Sequence, residues 1–456
     1  MMYARLFSSL FILLLLGSCG PKSVSDDFPT LAVKGEITAV TLNTSTAYFL
    51  YKMQPMGYEY DLIADFAQSN NLKLNIKVAE NVTRLTEMLL NHEADVVAYP
   101  MQVNNQRKQE VLYCGHERQS NLVIVQRANR GDTILNDVTQ LIGKQVYVKP
   151  NSRYHERLEN LNRELGGGIQ IMDIQRDTVT AEDLIEMVAR GALPYTVCED
   201  DVARLNRTYF QNINISLTIS FKQRYSWIVN KDAPLLAQAI NEWASNNTGK
   251  SAYQAASKRY FEISKNYSDG MMPEVVNGQL SLYDSLFQCY ASKIGWDWRL
   301  VASISYEESH FEPARIAWTG AEGLMGIMPT TAAYFGYAPE DMKYPDKNIA
   351  AGTKCLKFFG SIYADVPDSM ERIKFCLAAY NAGAGHVNDA RALAGKYGKD
   401  PNMWDDVAEY IRLKSEPEYF NDPVCKNGYM RGVETIKYVY EVMERYDYYK
   451  GKMQKQ

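Results

Sequence analysis

The spacing of apolar residues divides the chain into two regions. From Ile37 to about Phe261, short apolar runs that suit strands alternate with segments whose apolar residues recur every three or four positions, as in helices. From Ser281 onward nearly the whole chain has the helical period, broken by loops that contain Gly and Pro. The pattern predicts an α/β domain followed by an all-α domain, with the boundary near Ser268.

The first region predicts two lobes rather than one. Strands are expected at 37–42, 72–78 and 95–100, alternating with helices at 58–71 and 81–94. Such alternation predicts a parallel sheet in a three-layer α/β lobe. A second strand–helix series at 143–205 lies between apolar strands at 121–127 and 225–231. We therefore expect a domain at 35–265 with a second lobe inserted at about 128–222, and a ligand cleft between the lobes.

The N-terminus is predicted to be a targeting segment. The apolar run from Leu6 to Leu16 is too short to span a bilayer and has the proportions of a signal peptide. It ends in Leu16-Gly17-Ser18-Cys19, which resembles a bacterial lipobox, so 1–18 is the predicted signal peptide and Cys19 the lipidation site. A plain signal peptide with a chance cysteine is the alternative. Residues 19–34 are expected to be a tether, and Gly20 favours the outer membrane.

Composition limits the classes of partner. A net charge of −5, without a long basic run, argues against nucleic acid. The six cysteines after Cys19 form no CxxC pair, and the five histidines lack HExxH spacing, so no metal site is predicted.

Three segments of the first region carry a family resemblance. They are "GYEYDLIADFAQSNNLKLNIKV", "LLNHEADVVAYPMQVNNQRKQEVLYC" and "GKQVYVKPNS". In this order they resemble the family-3 extracellular solute-binding proteins, which are periplasmic amino-acid-binding modules. The resemblance covers about Gly35 to Phe261 and implies a two-lobed periplasmic-binding-protein fold.

The resemblance also implies ligand-binding residues. Arg107 matches the arginine that binds a ligand carboxylate, a role that suits the guanidinium fork. Asn151 and Ser152 stand where a helix N-terminus of the second lobe would supply donors, and Asp200 matches the acid that takes the ligand amine.

One departure keeps the identity of the ligand open. Residues 99–102 read Tyr-Pro-Met-Gln where the family usually has small hydroxyl residues. The pocket could take an amino acid, a cell-wall peptide or nothing, in which case Arg107 and Asp200 are structural charges. Because a transport receptor needs no second domain, we expect a sensory and regulatory role.

The second region contains two adjacent carboxylates, Glu307 and Glu308. Glu308 follows Val301 and Ile304 at helical spacing and therefore lies on an apolar face, but Glu307 is near such a face too. Spacing alone does not choose between them. A carboxyl against an apolar wall keeps its proton near neutral pH, as a general acid must. An exposed pair at a helix end is the alternative.

Four blocks in the second region resemble one family in the same order. They are Glu308-Ser309, "GLMGIMP" at 323–329, "AAYNAG" at 378–383 and "ETIKYV" at 434–439. Together they resemble the goose-type lysozyme-like domain of lytic transglycosylases and imply such a domain at 281–456, after a linker at 266–280. The match selects Glu308 as the catalytic acid and implies that the sugar cleft is formed by Met328, Tyr380, Asn381, Glu434 and Tyr438.

The resemblance implies a lyase that needs neither metal nor cofactor. The acid would protonate the bond between N-acetylmuramic acid and N-acetylglucosamine and then take a proton from the muramic C6 hydroxyl, giving a 1,6-anhydro end. Two departures are Ala317 and Gly326, where the family often has Ser and Gln, and Trp318 is expected to stack on a sugar instead. A lysozyme-type hydrolase and a non-catalytic peptidoglycan receptor are the alternatives. The expected location is the periplasmic side of the cell envelope.

Overall fold

Two five-stranded sheets form the first part of the chain. The computed structural model of the protein describes residues 26–150, 152–174, 181–263, 265, 272, 275 and 278–453. Its strands are β1 (Glu36–Leu42), β2 (Phe49–Tyr51), β3 (Gln54–Met56), β4 (Lys73–Ala79), β5 (Val96–Gln102), β6 (Val111–Ser120), β7 (Leu122–Arg127), β8 (Gln145–Val148), β9 (Gln170–Asp173), β10 (Tyr195–Glu199), β11 (Ile213–Asn214) and β12 (Gln223–Asn230). The sheet of the first lobe has the order β4-β1-β5-β12-β6, and that of the second β11-β7-β10-β8-β9.

Helices cover the two sheets and then form the rest of the protein. They are α1 (Phe28–Lys34), α2 (Tyr58–Ser69), α3 (Val82–Leu90), α4 (Arg153–Glu164), α5 (Ala181–Ala189), α6 (Asp200–Arg207), α7 (Pro234–Ser245), α8 (Asn247–Phe261), α9 (Asp284–Ser292), α10 (Trp298–Ser309), α11 (Pro329–Tyr334), α12 (Pro345–Ile362), α13 (Ser369–Ala382), α14 (Ala384–Lys396), α15 (Trp404–Leu413), α16 (Pro417–Phe420) and α17 (Gly432–Met453). The predicted two-lobed α/β fold with an all-α second domain is confirmed.

Both sheets are mixed, so the expectation of parallel sheets is wrong in part. Strand β12 runs antiparallel to β5 and β6, and β7 runs antiparallel to β10. These antiparallel strands lie next to the two crossings between the lobes. The chain passes from β6 to β7 into the second lobe, and from β11 to β12 back into the first. Strand β7 belongs to the second sheet. The second lobe therefore begins near residue 121 rather than at 128.

The predicted tether contains a helix that packs on the first lobe. The Asp27 side chain caps α1 at Phe28 and also accepts from the backbone N–H groups of Leu235 and Leu236 at the start of α7. Leu31 is buried in the core of this lobe. The cap and this one buried leucine make 28–34 part of the domain, against the expectation of a tether up to residue 34.

A short hairpin, β2–β3, projects from the first lobe between β1 and α2. Its turn residues Lys52 and Met53 have φ angles of 48° and 62°, in the left-handed region that non-glycine residues seldom adopt. The sequence pattern predicts no element here.

The all-α domain has one large core, built around α10, α13 and α17. Ser303 on α10 is fully buried and donates to the carbonyl of Val442 on α17, at 2.7 Å. This contact fixes the rotation of α10 and hence the direction of the residues in its last turn.

Two further features concern the described residues only. The six cysteines within them are free thiols. No helix in this part of the chain combines the length and apolar character that crossing a bilayer requires. Cys19 lies outside the described residues, as does most of the predicted linker at 266–280.

Candidate functional site

The last turn of α10 holds the candidate acid, Glu308, beside the loop at 322–328. Ser305 and Ser309 flank this turn, and both hydroxyls donate to the carbonyl oxygen of Leu324, at 3.0 and 2.9 Å. His310 ends the helix in the left-handed conformation. These two hydrogen bonds fix α10 against the loop at 322–328. The loop therefore forms the surface that faces Glu308.

Gly326 is the point at which this loop meets the acid. Its φ is +57°, and a Cβ placed there would lie 2.1 Å from Oε2 of Glu308. The neighbouring Met325 N–H donates to Asn348 Oδ1 at 2.7 Å, and Asn348 is fully buried. With the Glu308 carboxyl in this position, any side chain at residue 326 would have to displace it.

The carboxyl of Glu308 is nearly enclosed. Its side chain is 11% exposed, Tyr438 donates its hydroxyl to Oε1 at 3.0 Å, and Lys52 Nζ is 3.6 Å from the same oxygen. Burial raises the pKa of Glu308, whereas Lys52 and the Tyr438 hydroxyl oppose the rise. The net pKa is above the ordinary range of a glutamate, as a proton donor near neutral pH requires.

Glu308 opens onto a cavity of about 220 Å³ between the two domains. Trp318, Asn381, Glu434 and Tyr438 line it from the all-α domain, so four predicted cleft residues lie together with the acid. Tyr51 of the hairpin and residues of the second lobe close its other side.

The hairpin β2–β3 occupies the mouth of this cleft. The Lys52 N–H donates to the carbonyl of Ala382 at 3.1 Å, and Leu50 O lies 2.9 Å from Nε2 of His386. Gln54 also donates to the hydroxyl of Thr330. The first domain thus places the Lys52 ammonium beside the candidate acid and contacts both walls of the cleft.

The remaining predicted cleft residues have supporting positions. Tyr380 is buried and donates to the Met325 carbonyl at 2.7 Å, and Asn381 Oδ1 accepts from Thr435 at 2.7 Å. Glu434 is ion-paired with Arg431. Met328 is buried at the start of α11 and does not line the 220 Å³ cavity, so its sugar contact stays a prediction.

Trp318 is held by the first domain instead of being free to stack on a sugar. Its ring lies 6.3 Å from that of Tyr51 and 6.1 Å from that of Tyr260, and its carbonyl accepts from Arg259 at 3.0 Å. Its role in stacking stays a prediction that requires these contacts to break.

The predicted ligand residues of the first domain are not brought together in one pocket. Arg107 lies on a short 3-10 turn, and its guanidinium donates to the carbonyl oxygen of Gln102, at the end of the preceding strand β5, at 3.0 Å. Asp200 accepts from Ser120 at 2.5 Å, and Ser152 caps α4 by accepting from the N–H of His155. Asn151 lies outside the described residues. Binding of a ligand by these residues stays a prediction.

Sequence reasoning missed an arginine that joins both lobes. Arg118, on the crossing strand β6, lies 3.1 Å from Glu59 Oε1 in the first lobe and 3.4 Å from Asp201 Oδ2 in the second. Glu59 also accepts from the indole N–H of Trp227 at 2.7 Å. Nothing in the sequence indicated Arg118 or its partners.

Lys52 was missed for a similar reason. The stretch around Lys52 has no regular spacing of apolar residues and no motif. Its partner Glu308 is 256 residues away in the sequence. The His386–Lys414–Asp389 cluster behind the cleft wall, in which Lys414 is fully buried, also had no signal.

Both regions of the chain are similar to known proteins. Residues 38–263 match the family model "Bacterial extracellular solute-binding proteins, family 3", and residues 285–403 match "Transglycosylase SLT domain". A protein of Desulfosudis oleivorans named membrane-bound lytic murein transglycosylase F is 30% identical over 92% of this chain and 90% of its own. A protein of the same name from Stutzerimonas stutzeri is 30% identical over 96% of this chain and 88% of its own. The solved substrate-binding domain 2 of Lactococcus lactis GlnP aligns with 50% of this chain and 96% of its own, at 18% identity and a TM-score of 0.42.

The two domain matches and the enclosed acid define the class of the protein, a lytic transglycosylase fused to a solute-binding module. The relatives, aligned over nearly the full chain, make the assignment specific. The chain belongs to the family of membrane-bound lytic murein transglycosylase F. It is accordingly a lyase that acts on peptidoglycan.

Proposed function

We propose that the protein cleaves peptidoglycan glycan strands with Glu308 as the sole acid and base, leaving 1,6-anhydromuramic ends, and that its first domain regulates this activity. The observation that carries the proposal is the Glu308 carboxyl, enclosed by Tyr438 and Gly326, at the edge of a cavity between the domains.

Protonated Glu308 gives its proton to the oxygen that joins N-acetylmuramic acid to N-acetylglucosamine. The C1–O bond then breaks, and positive charge develops at C1 of the muramic sugar beside the new carboxylate. The carboxylate takes the proton of the C6 hydroxyl, and this oxygen bonds to C1. Atoms balance without water, and the acid is regenerated.

The surroundings of the other carboxylates support a single-residue mechanism. Glu307 is 3.0 Å from Arg445, Glu434 pairs with Arg431, and Glu441 pairs with Lys437, all within the all-α domain. Glu308 has its nearest cation, Lys52, from the other domain. When the hairpin withdraws, Glu308 loses this partner while the other carboxylates keep theirs.

The docked hairpin supports a regulatory role because it opposes catalysis in two ways. It fills the cleft beside the acid, and its ammonium favours the carboxylate form of Glu308, which has no proton to donate. A ligand that changes the angle between the lobes of the first domain would move the hairpin. Arg118, which contacts both lobes, is placed to sense that angle.

The ligand of the first domain is proposed to be an amino acid or a muropeptide, bound by Arg107, Asn151, Ser152 and Asp200. The domain order 1–18, 19–34, 35–265, 266–280 and 281–456 is retained with the two changes of boundary given above. Lipidation at Cys19 would hold the enzyme on the periplasmic side of the envelope, at the outer membrane.

Digestion of purified sacculi, with mass spectrometry of the released fragments, tests the reaction. Fragments lighter than their reducing counterparts by one water are expected. Reducing ends alone would show a hydrolase, and no fragments with or without candidate muropeptides would leave only a receptor.

A further inference from the structure

A chain of buried polar side chains leads from the interior of the all-α domain to the docked hairpin. Lys414 is fully buried, and Asp389 and His386 are 4% and 2% exposed. The Lys414 ammonium donates to Asp389 and lies 3.1 Å from Nδ1 of His386. The other nitrogen of His386, Nε2, lies 2.9 Å from the carbonyl oxygen of Leu50.

These contacts fix which nitrogen of His386 carries the hydrogen. A carbonyl oxygen can only accept, so Nε2 must donate to Leu50. Nδ1 faces the Lys414 ammonium and therefore accepts. Burial and the nearby Lys414 lower the pKa of His386 to about 3, so the ring is neutral at physiological pH. His386 is thus held as an Nε2–H donor aimed out of its own domain.

Asp389 stabilises the contact between Lys414 and His386. Besides the ammonium it accepts from the N–H groups of Lys426 and Asn427, at 3.0 and 2.9 Å. Because the carboxylate is anchored to this loop, Lys414 cannot turn away from Nδ1 without leaving its own charge unpaired. The cluster has no role in the proton transfers at Glu308, and the fold keeps it buried.

The donor of His386 faces the hairpin rather than the core. His386 lines a small cavity of about 50 Å³, separate from the 220 Å³ cavity at Glu308 but sharing Asn381 and Glu434 with it, and the hairpin forms its other side. One turn away, the carbonyl of Ala382 accepts from the Lys52 N–H. This wall therefore offers one donor and one acceptor, and in the closed state the peptide groups of the hairpin satisfy both.

Amide groups also occur on the glycan itself, since each sugar carries a 2-acetamido group with one carbonyl oxygen and one N–H. On the basis of the proposed function, we propose that His386 is a substrate-binding residue whose Nε2–H donates to an acetamido carbonyl of the glycan once Leu50 has left. Ala382 O would accept the N–H of an acetamido group beside it. The hairpin would then mimic the substrate, and the hairpin and the glycan could not occupy this wall of the cleft at the same time.

Binding of two uncharged tetrasaccharides tests this subsite. Chitotetraose carries acetamido groups, and cellotetraose has the same β-1,4 backbone with hydroxyls in their place. Full-length Lys52→Glu protein, in which a carboxylate faces Glu308, is used to keep the hairpin out of the cleft. In this background His386 is compared with His386→Leu, which lacks the donor, and His386→Gln, which retains an N–H.

His386→Leu is expected to weaken chitotetraose binding about tenfold by calorimetry, equivalent to about 1.4 kcal/mol, and to change cellotetraose binding less than twofold. His386→Gln is expected to recover most of the loss. The ¹⁵N-detected Nε2–H signal of His386 should shift with chitotetraose and not with cellotetraose. Melting temperatures within a few degrees show that all the variants are folded.

Three outcomes would overturn the subsite: equal weakening of both sugars, no weakening of either, or no binding of chitotetraose by the opened parent. Failure of the proposed reaction is seen separately, as absence of anhydro ends from a protein that still prefers chitotetraose.

Discussion

Replacing Lys52 by Met should activate the enzyme without any ligand. The Lys52 ammonium is 3.6 Å from Glu308, and the two side chains are only 10% and 11% exposed. At an effective dielectric constant of 20, the attraction is on the order of 4 to 5 kcal/mol. Desolvation of the ammonium opposes this attraction, and we take about 2 kcal/mol as the net preference for the closed state.

Loss of about 2 kcal/mol should raise the open population, and with it the basal rate on sacculi, by about 30-fold. The same change removes an opposing charge from Glu308, so its pKa rises further. The alkaline limb of the pH–rate profile should therefore move to higher pH, because the acid keeps its proton longer.

The assay is the initial rate of release of soluble fragments from sacculi between pH 5 and 9. Lys73→Met, an exposed lysine on the same domain, is the matched control and should behave as wild type. A folded Lys52→Met protein with an unchanged or slower basal rate, and an unmoved alkaline limb, would refute the gating role of the hairpin.

Three further predictions concern residues around the acid and behind the cleft wall. Gly326→Ala should reduce the rate on sacculi at least tenfold, since its Cβ would displace the Glu308 carboxyl, whereas Gly336→Ala, also at positive φ but facing open space, should lower only the melting temperature. Equal rates for these two variants would contradict the account. Tyr438→Phe removes a hydrogen bond that favours the charged form, so the pKa of Glu308 should rise and the alkaline limb of the pH–rate profile should move upward; a downward shift would show that Tyr438 acts otherwise. Asp389→Asn leaves the Lys414 ammonium buried without its partner and should cost about 3 to 5 kcal/mol in denaturant unfolding, most of it recovered in the double variant with Lys414→Met; full stability of the single variant would sink this reading.

The fold could be predicted from the sequence where apolar spacing is regular. Strands β1, β4 and β5, helices α2 and α3 and the helical character of the second domain agree with the expectation to within a few residues, because periods of two and 3.6 mark which faces are buried. Helix α1 was missed because it buries only Leu31, and seven residues give too short a pattern. That β7 belongs to the second sheet was missed, because the apolar strands of the two sheets have similar sequences.

The candidate site likewise contains some residues that the sequence indicates and others that it does not. Three of the four sequence blocks supply Glu308, Asn381, Glu434 and Tyr438, and these residues line one cavity. Lys52, Arg118 and the His386–Lys414–Asp389 cluster act through partners far away in the chain, and no local spacing encodes such a contact. The close approach of Gly326 to Glu308 exists only in three dimensions, so the sequence could not show it.

Glu308, not its neighbour Glu307, is proposed to perform the chemistry, and the yield of 1,6-anhydromuramic ends from sacculi by Glu308→Gln and Glu307→Gln tests this directly. Glu308→Gln should lose at least about 100-fold, the usual scale for a general acid. Glu307→Gln should stay within about threefold of wild type per folded molecule, because Glu307 pairs with Arg445 rather than facing the reacting bond. Anhydro ends at the wild-type level from Glu308→Gln, or their loss from Glu307→Gln alone, would contradict this assignment.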